Sequence, residues 1–179
     1  MRTRHVVRLT VLVLAVAGVG MAGAGRELAH DEPVRTVILV RHAEKVDESA
    51  DSSLSEAGAA RAKELARVLA DASVDEIIVS PRRRTQETAA PLAAALGITP
   101  SPRNQSGSNN AEVVSAVREL AGGETALVVG HSNTLGSILT ELGAREVIPF
   151  ETYDNLVVAT MVGDRVASVM RLRYGAATP

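Results

Sequence analysis

Thr36-Val37-Ile38-Leu39-Val40-Arg41-His42 is the stretch from which the fold can be read. Four aliphatic side chains follow one another between Thr36 and Arg41, with no alternation of apolar and polar residues. Such a run suits a strand buried on both faces, the kind found in the middle of a parallel sheet covered by helices. Asp75-Glu-Ile-Ile-Val-Ser80 and Thr125-Ala-Leu-Val-Val-Gly130 have the same character, and Pro81 stops the first of these from continuing.

Helical patterns separate these runs. One opens at Leu54, with Leu65, Val68 and Leu69 at helical spacing and Ser53 or Ser55 available as its cap. A second spans Arg83 to Leu96 and stops at Gly97, a residue suited to the position after a helix end. A third covers Ala111 to Ala121 before Gly122-Gly123, and a fourth covers Thr134 to Leu142. Ile98 to Pro102 reads as a short edge strand, and Lys45–Ser53 and Asn104–Asn110 as loops. Asn155–Val162 and Arg165–Tyr174 flank Gly163-Asp164, a hairpin turn between two β-rich runs. The spacing predicts one α/β domain over residues 36–174, a three-layer α/β/α sandwich around a mainly parallel mixed sheet closed by an antiparallel pair.

Composition narrows the partners. The chain has 179 residues, 46% of them apolar and 22% charged, the balance of an ordinary globular domain. It has one Phe, two Tyr and no Trp, so no aromatic platform exists for stacking nucleic-acid bases. A net charge of −2 and the lack of a basic run in the folded part also argue against nucleic acid. The absence of cysteine removes disulfides, thiolate nucleophiles and cysteine-ligated zinc.

The N-terminus carries an address. Arg2, Arg4 and Arg8 precede the uncharged run Leu9–Gly25, and Ala22-Gly23-Ala24 is a small-x-small site of the kind signal peptidase accepts. Residues 1–24 are therefore expected to be a signal peptide or, uncleaved, an N-terminal membrane anchor at the short limit for a bilayer span. Residues 25–35 read as a linker. Either alternative puts the domain outside the cytoplasm, and membrane contact follows only if the leader stays uncleaved. Removing the leader takes away three arginines and no acid, which leaves a more acidic chain.

In an open α/β sheet, ligands bind beyond the carboxyl ends of the strands. Arg41-His42 follows the first buried run. Ser80 follows the second, with Arg82, Arg83 and Arg84 opening the next helix, and Gly130-His131-Ser132-Asn133 follows the third. Of four histidines, His5 and His30 precede the domain, and the two within it both fall on this rim. Two histidines without cysteine make a poor zinc site, so no metal or other cofactor is expected. No G-x-S-x-G elbow and no P-loop is present. What the rim does offer is guanidinium forks, which match phosphate oxygens, around imidazoles that can attack phosphorus.

These segments resemble the histidine phosphatase superfamily, in its small phosphoglycerate mutase-like form without a large cap domain. Arg41-His42-Ala43 is similar to its opening motif, Leu54-Ser55-Glu56-Ala57-Gly58 to the start of its first helix, Ser80–Thr88 to its S-x-x-x-R-[AT]-x-x-T segment, and Val128–Asn133 to its second histidine motif. The four occur in family order. The resemblance implies that His42 is the phosphorylated nucleophile, with Arg41, Arg84 and His131 completing a phosphate pocket supported by Asn133. It implies a phosphoric monoester hydrolase acting on a small phosphorylated substrate or a phosphorylated side chain. An acid that protonates the leaving oxygen is harder to place. Glu112 is the first candidate, with Glu151 and Asp154 as rivals. Two other readings stay open, a non-catalytic member that binds a phosphorylated ligand or a partner, and a phosphoryl-transferring mutase.

Overall fold

The computed structural model describes residues 32–107 and 109–178. The proposed leader, residues 1–24, and most of the 25–35 linker lie outside the described residues. Among the described residues no helix is long and apolar enough to cross a membrane.

The first strand, β1 (Val34–Arg41), begins two residues before the expected Thr36. Arg35 explains the extension. Its buried guanidinium donates to the carbonyls of Leu120 and Gly163, so the chain is already fixed to the rest of the domain there. After β1 come α1 (Glu56–Val68), β2 (Glu76–Val79), α2 (Arg83–Leu96) and the two-residue β3 (Ser101–Pro102). The chain continues through α3 (Ala111–Glu119), β4 (Thr125–Gly130), α4 (Leu135–Glu141), β5 (Asn155–Val162) and β6 (Arg165–Arg173). Of the two cap candidates for α1 it is Ser55 that caps, its hydroxyl accepting from the Gly58 amide.

The six strands form one sheet in the order β3-β2-β4-β1-β5-β6. β1, β2, β3 and β4 run parallel, whereas β5 pairs antiparallel with β1 and with β6. Period-two alternation sorts the apolar run of β1 between two cores. Val37 and Leu39 join Ala126, Val128 and the apolar faces of α3 and α4. Ile38 and Val40 join Ile77, Val79, Leu127, Val129 and side chains of α1 and α2. Two helix pairs on opposite faces give the three-layer α/β/α sandwich, with a mixed, mainly parallel sheet in the middle.

The register sets the chemistry. β1 and β4 run side by side with Arg41 opposite Gly130, so the next residue of each strand, His42 and His131, emerges from the same edge. The His42 amide donates to the Gly130 carbonyl at 2.9 Å, extending the pairing one step past the strand ends. β2 flanks β4 on its other side with Val79 opposite Val129, which brings Ser80 level with Gly130. A Cβ at position 130 would stand 2.6 Å from both Gln105 Oε1 and a Leu135 methyl, so a larger residue there would displace both side chains.

Candidate active site

His42 is almost fully buried, 4% exposed, at the end of β1. Its Nδ1 lies 2.8 Å from the carbonyl of Ala43. A carbonyl can only accept, so Nδ1 carries the hydrogen and, in the neutral ring, the free lone pair belongs to Nε2. Burial is the main cause that pulls the His42 pKa down to about 4. The Ala43 hydrogen bond opposes that pull, while the charges of Arg84, Arg41 and Lys45 add to it. The imidazole is therefore neutral at ordinary pH.

His131, at the end of β4, stands with its ring centroid 5.3 Å from that of His42, in an edge-on arrangement. A terminal nitrogen of Arg84 lies 3.4 Å from its Nδ1. Because arginine can only donate, Nδ1 accepts and the hydrogen sits on Nε2, 3.0 Å from the Ser80 hydroxyl. Ser80 in turn stands 2.9 Å from Thr85 Oγ1, which donates onward to the backbone carbonyls of Ser80 and Arg82. Burial again leads the causes that lower the His131 pKa, to about 3, followed by His42 and the charges of Arg84, Arg82 and Arg41.

Two guanidinium groups belong to this cluster. Arg84, in the first turn of α2, is anchored by the Ala50 carbonyl at 2.9 Å. Arg41 donates to the Glu151 carbonyl and, at 3.4 Å, to the Tyr153 hydroxyl. Its guanidinium carbon lies 4.1 Å from the centroid of the Tyr153 ring. The Nε atoms of both Arg41 and Arg84 are buried with no hydrogen-bond partner among the described residues. Buried donors without acceptors are costly. Two of them beside two neutral imidazoles make a pocket suited to an oxyanion.

The other expected residues are placed less centrally. Asn133 is exposed on the turn after His131, with its amide close to Gly107. Arg82 and Arg83 are exposed, and Arg83 pairs with Glu87. Glu44 turns away to form an ion pair with buried Arg61 at 2.6 Å. Lys45 pairs with Glu48. Glu112 is exposed in the first turn of α3, and both carboxylate oxygens are held by Asn104, from its backbone amide at 2.9 Å and its side chain at 2.6 Å. Those bonds hold its carboxyl below the usual range, the reverse of what an acid donor needs. Nothing in the geometry joins Glu112 to the histidines. Of its rivals, Asp154 is engaged with Arg173 at 2.7 Å, and Glu151 meets the cluster through its backbone carbonyl.

One neighbour of the cluster, Tyr153, escapes sequence reasoning, and a second, Thr88, closes the Ser80–Thr88 segment but was given no role there. Tyr153 stacks on Arg41, and its ring centroid is 5.9 Å from that of His42. It reaches the site from the loop before β5, far from every motif, and its only signal was being one of three aromatics. Thr88 links the two arginine segments, since its hydroxyl accepts from the Ala43 amide at 2.9 Å and donates to the Arg84 carbonyl at 2.6 Å.

The chain is similar in sequence and in fold to known proteins. The family model described as histidine phosphatase superfamily (branch 1) matches residues 37–106. No curated protein sequence matches the chain significantly. Among solved structures, the protein histidine phosphatase SixA complexed with tungstate aligns with a TM-score of 0.64 at 19% identity, covering 77% of this chain and 96% of the other. Bacillus stearothermophilus YhfR aligns at 0.59 and 17% identity, over 74% of this chain and 94% of its own. The mycobacterial glucosyl-3-phosphoglycerate phosphatase aligns at 0.56 and 15% identity, over 80% of this chain and all of its own, 100%. At these identities the structural likeness speaks for the fold alone. Over residues 37–106 the chain is similar to the histidine phosphatase superfamily, and its fold is that of these small phosphatases.

Proposed function

We propose that this chain is an exported phosphatase that works without a metal ion through a phosphohistidine on His42. The observation that carries the reading is the Nδ1–Ala43 hydrogen bond, which leaves Nε2 unprotonated on a buried, neutral imidazole beside Arg41, Arg84 and His131. In the first step Nε2 attacks phosphorus, the N–P bond forms and the bond to the leaving oxygen breaks. Arg41 and Arg84 stabilise the charge spread over the phosphoryl oxygens, the work a divalent cation does elsewhere. In the second step water attacks phosphorus, the N–P bond breaks, and His42 is regenerated with inorganic phosphate. Export rests on the basic, apolar, small-x-small pattern of residues 1–24.

The leaving group is open to a second reading, favoured by the position of Glu112. Glu112 is bound to Asn104 and Asp154 to Arg173, so neither carboxyl group is poised beside the histidines. An alkoxide leaves poorly without a proton, whereas a phosphorylated imidazole that carries a proton on its distal ring nitrogen departs as neutral imidazole with no acid from the protein. Transfer from a phosphorylated histidine to His42 exchanges one N–P bond for another at nearly equal energy. A phosphorylated histidine side chain therefore suits this pocket better than an alkyl phosphate, and SixA, a structural neighbour, is described as a protein histidine phosphatase.

Both readings meet in one set of assays. The wild type should hydrolyse an aryl phosphate in excess EDTA, be inhibited by vanadate, and lose at least about a thousandfold in kcat in His42→Ala. A phosphorylated imidazole should be turned over at least about 100-fold faster than an alkyl phosphate, the usual scale of a missing acid catalyst. A strict need for added metal, or activity surviving in His42→Ala, would sink the mechanism. Equal rates on the alkyl phosphate would sink the leaving-group reading alone.

A further inference from the structure

The loop before β5 supplies a side chain that no motif of the chain announces. We infer that Tyr153 is a positioning residue, whose ring holds the Arg41 guanidinium at the angle in which it binds the phosphoryl group. The inference rests on Arg41 being a phosphate ligand of the proposed reaction.

Arg41 sits at the last position of β1, half-buried, with a side chain long enough to take many rotamers. An arginine that must meet a phosphate with two parallel N–H bonds has to hold its plane fixed, or the entropy lost on binding cancels the gain. Three contacts do this. The Glu151 carbonyl accepts from one terminal nitrogen. The Tyr153 hydroxyl lies 3.4 Å from the other terminal nitrogen, long for a hydrogen bond. The ring face lies 4.1 Å from the guanidinium carbon, well inside the range of cation–π attraction. Of the two contacts that Tyr153 makes, the ring is therefore the stronger and the hydroxyl the minor one. Arg41 Nε is buried with no hydrogen-bond partner among the described residues. The same ring lies 5.9 Å from that of His42 and so forms a wall shared by nucleophile and ligand. Arg84 has a different support, the Ala50 carbonyl, so the two arginines are held independently.

This arrangement separates ring from hydroxyl and positioning from folding. The probe is inorganic tungstate, whose affinity is measured by calorimetry and needs no turnover. Tyr153→Leu, which fills the space without a π face, should weaken tungstate about tenfold and raise KM for an aryl phosphate more than it lowers kcat, while the melting temperature stays close to wild type. Tyr153→Phe should bind tungstate within about threefold of wild type. In an Arg41→Ala background, Tyr153→Leu should cost little more, because the group it orients is gone. The inference is overturned if Leu binds tungstate as well as wild type, if Phe fails as badly as Leu, or if the Leu penalty persists in full without Arg41. A wild type that binds no tungstate at all would overturn the phosphate pocket itself, which is a separate failure.

Discussion

His42 and His131 show how far neighbours decide what an imidazole can do. Each is neutral because burial and nearby guanidinium charges oppose the imidazolium, yet their hydrogens sit on different nitrogens. The Ala43 carbonyl puts the His42 hydrogen on Nδ1, whereas Arg84 facing Nδ1 of His131 and Ser80 beside its Nε2 favour the hydrogen on Nε2. The sign of the pH dependence follows. Protonation removes the His42 lone pair, so kcat/KM should fall as acidity rises through a pKa near 4 rather than near the ordinary 6.5. Profiles on a substrate whose phosphate does not titrate in that window test this, and an acid limb centred near 6.5 would contradict it. At this scale the sequence was informative where chemistry sits at strand ends. His42, His131, Arg41 and Arg84 are all legible because a buried run precedes each histidine and the arginines adjoin the same rim. Tyr153 was not, since only the folded loop brings it to Arg41. Glu112 was a reasonable candidate whose side chain meets Asn104 instead, a pairing that spacing does not announce.

Among the elements, the parallel register of β1 with β4 does the most. A slip of one residue would move His42 away from Gly130 and turn every apolar side chain of β1 to the opposite face. The loop after β1 is held by α1 and α2 together. Gly58 lets α1 approach the Glu44 backbone so closely that a Cβ would collide with its carbonyl. Arg61 then grips the Glu44 carboxylate and donates to the Tyr174 and Ala176 carbonyls, each contact within 3.0 Å. That pair couples the active-site loop to the end of the domain. Truncating Arg61 to Ala should cost about 3 kcal/mol, as for other buried pairs broken on one side, and lower Tm by on the order of 10 °C. Thermal unfolding measures it directly, and an unchanged Tm would show that Glu44 and Arg61 are only surface partners. The strand and helix pattern was legible because the apolar runs are long and the glycines stand at helix ends. The early start of β1 was not, because it depends on Arg35 reaching two carbonyls distant in sequence.

At the scale of the whole molecule, a three-layer domain brings two histidines and two arginines to one rim, where the phosphoryl group is proposed to bind, and among the described residues no large cap covers it. Two helix pairs clamp the sheet from opposite faces, so the strand ends that bear the histidines are held by both cores. The central claim is that one residue, His42, carries the phosphoryl group between substrate and water. The direct measurement is a rapid acid-free denaturing quench during turnover of a phosphorylated imidazole, followed by peptide mass analysis. Phosphate that is labile in acid and stable in base should appear on the peptide containing His42, and should be absent from His42→Ala. Turnover without any such label, or a label that persists in His42→Ala, would contradict the account.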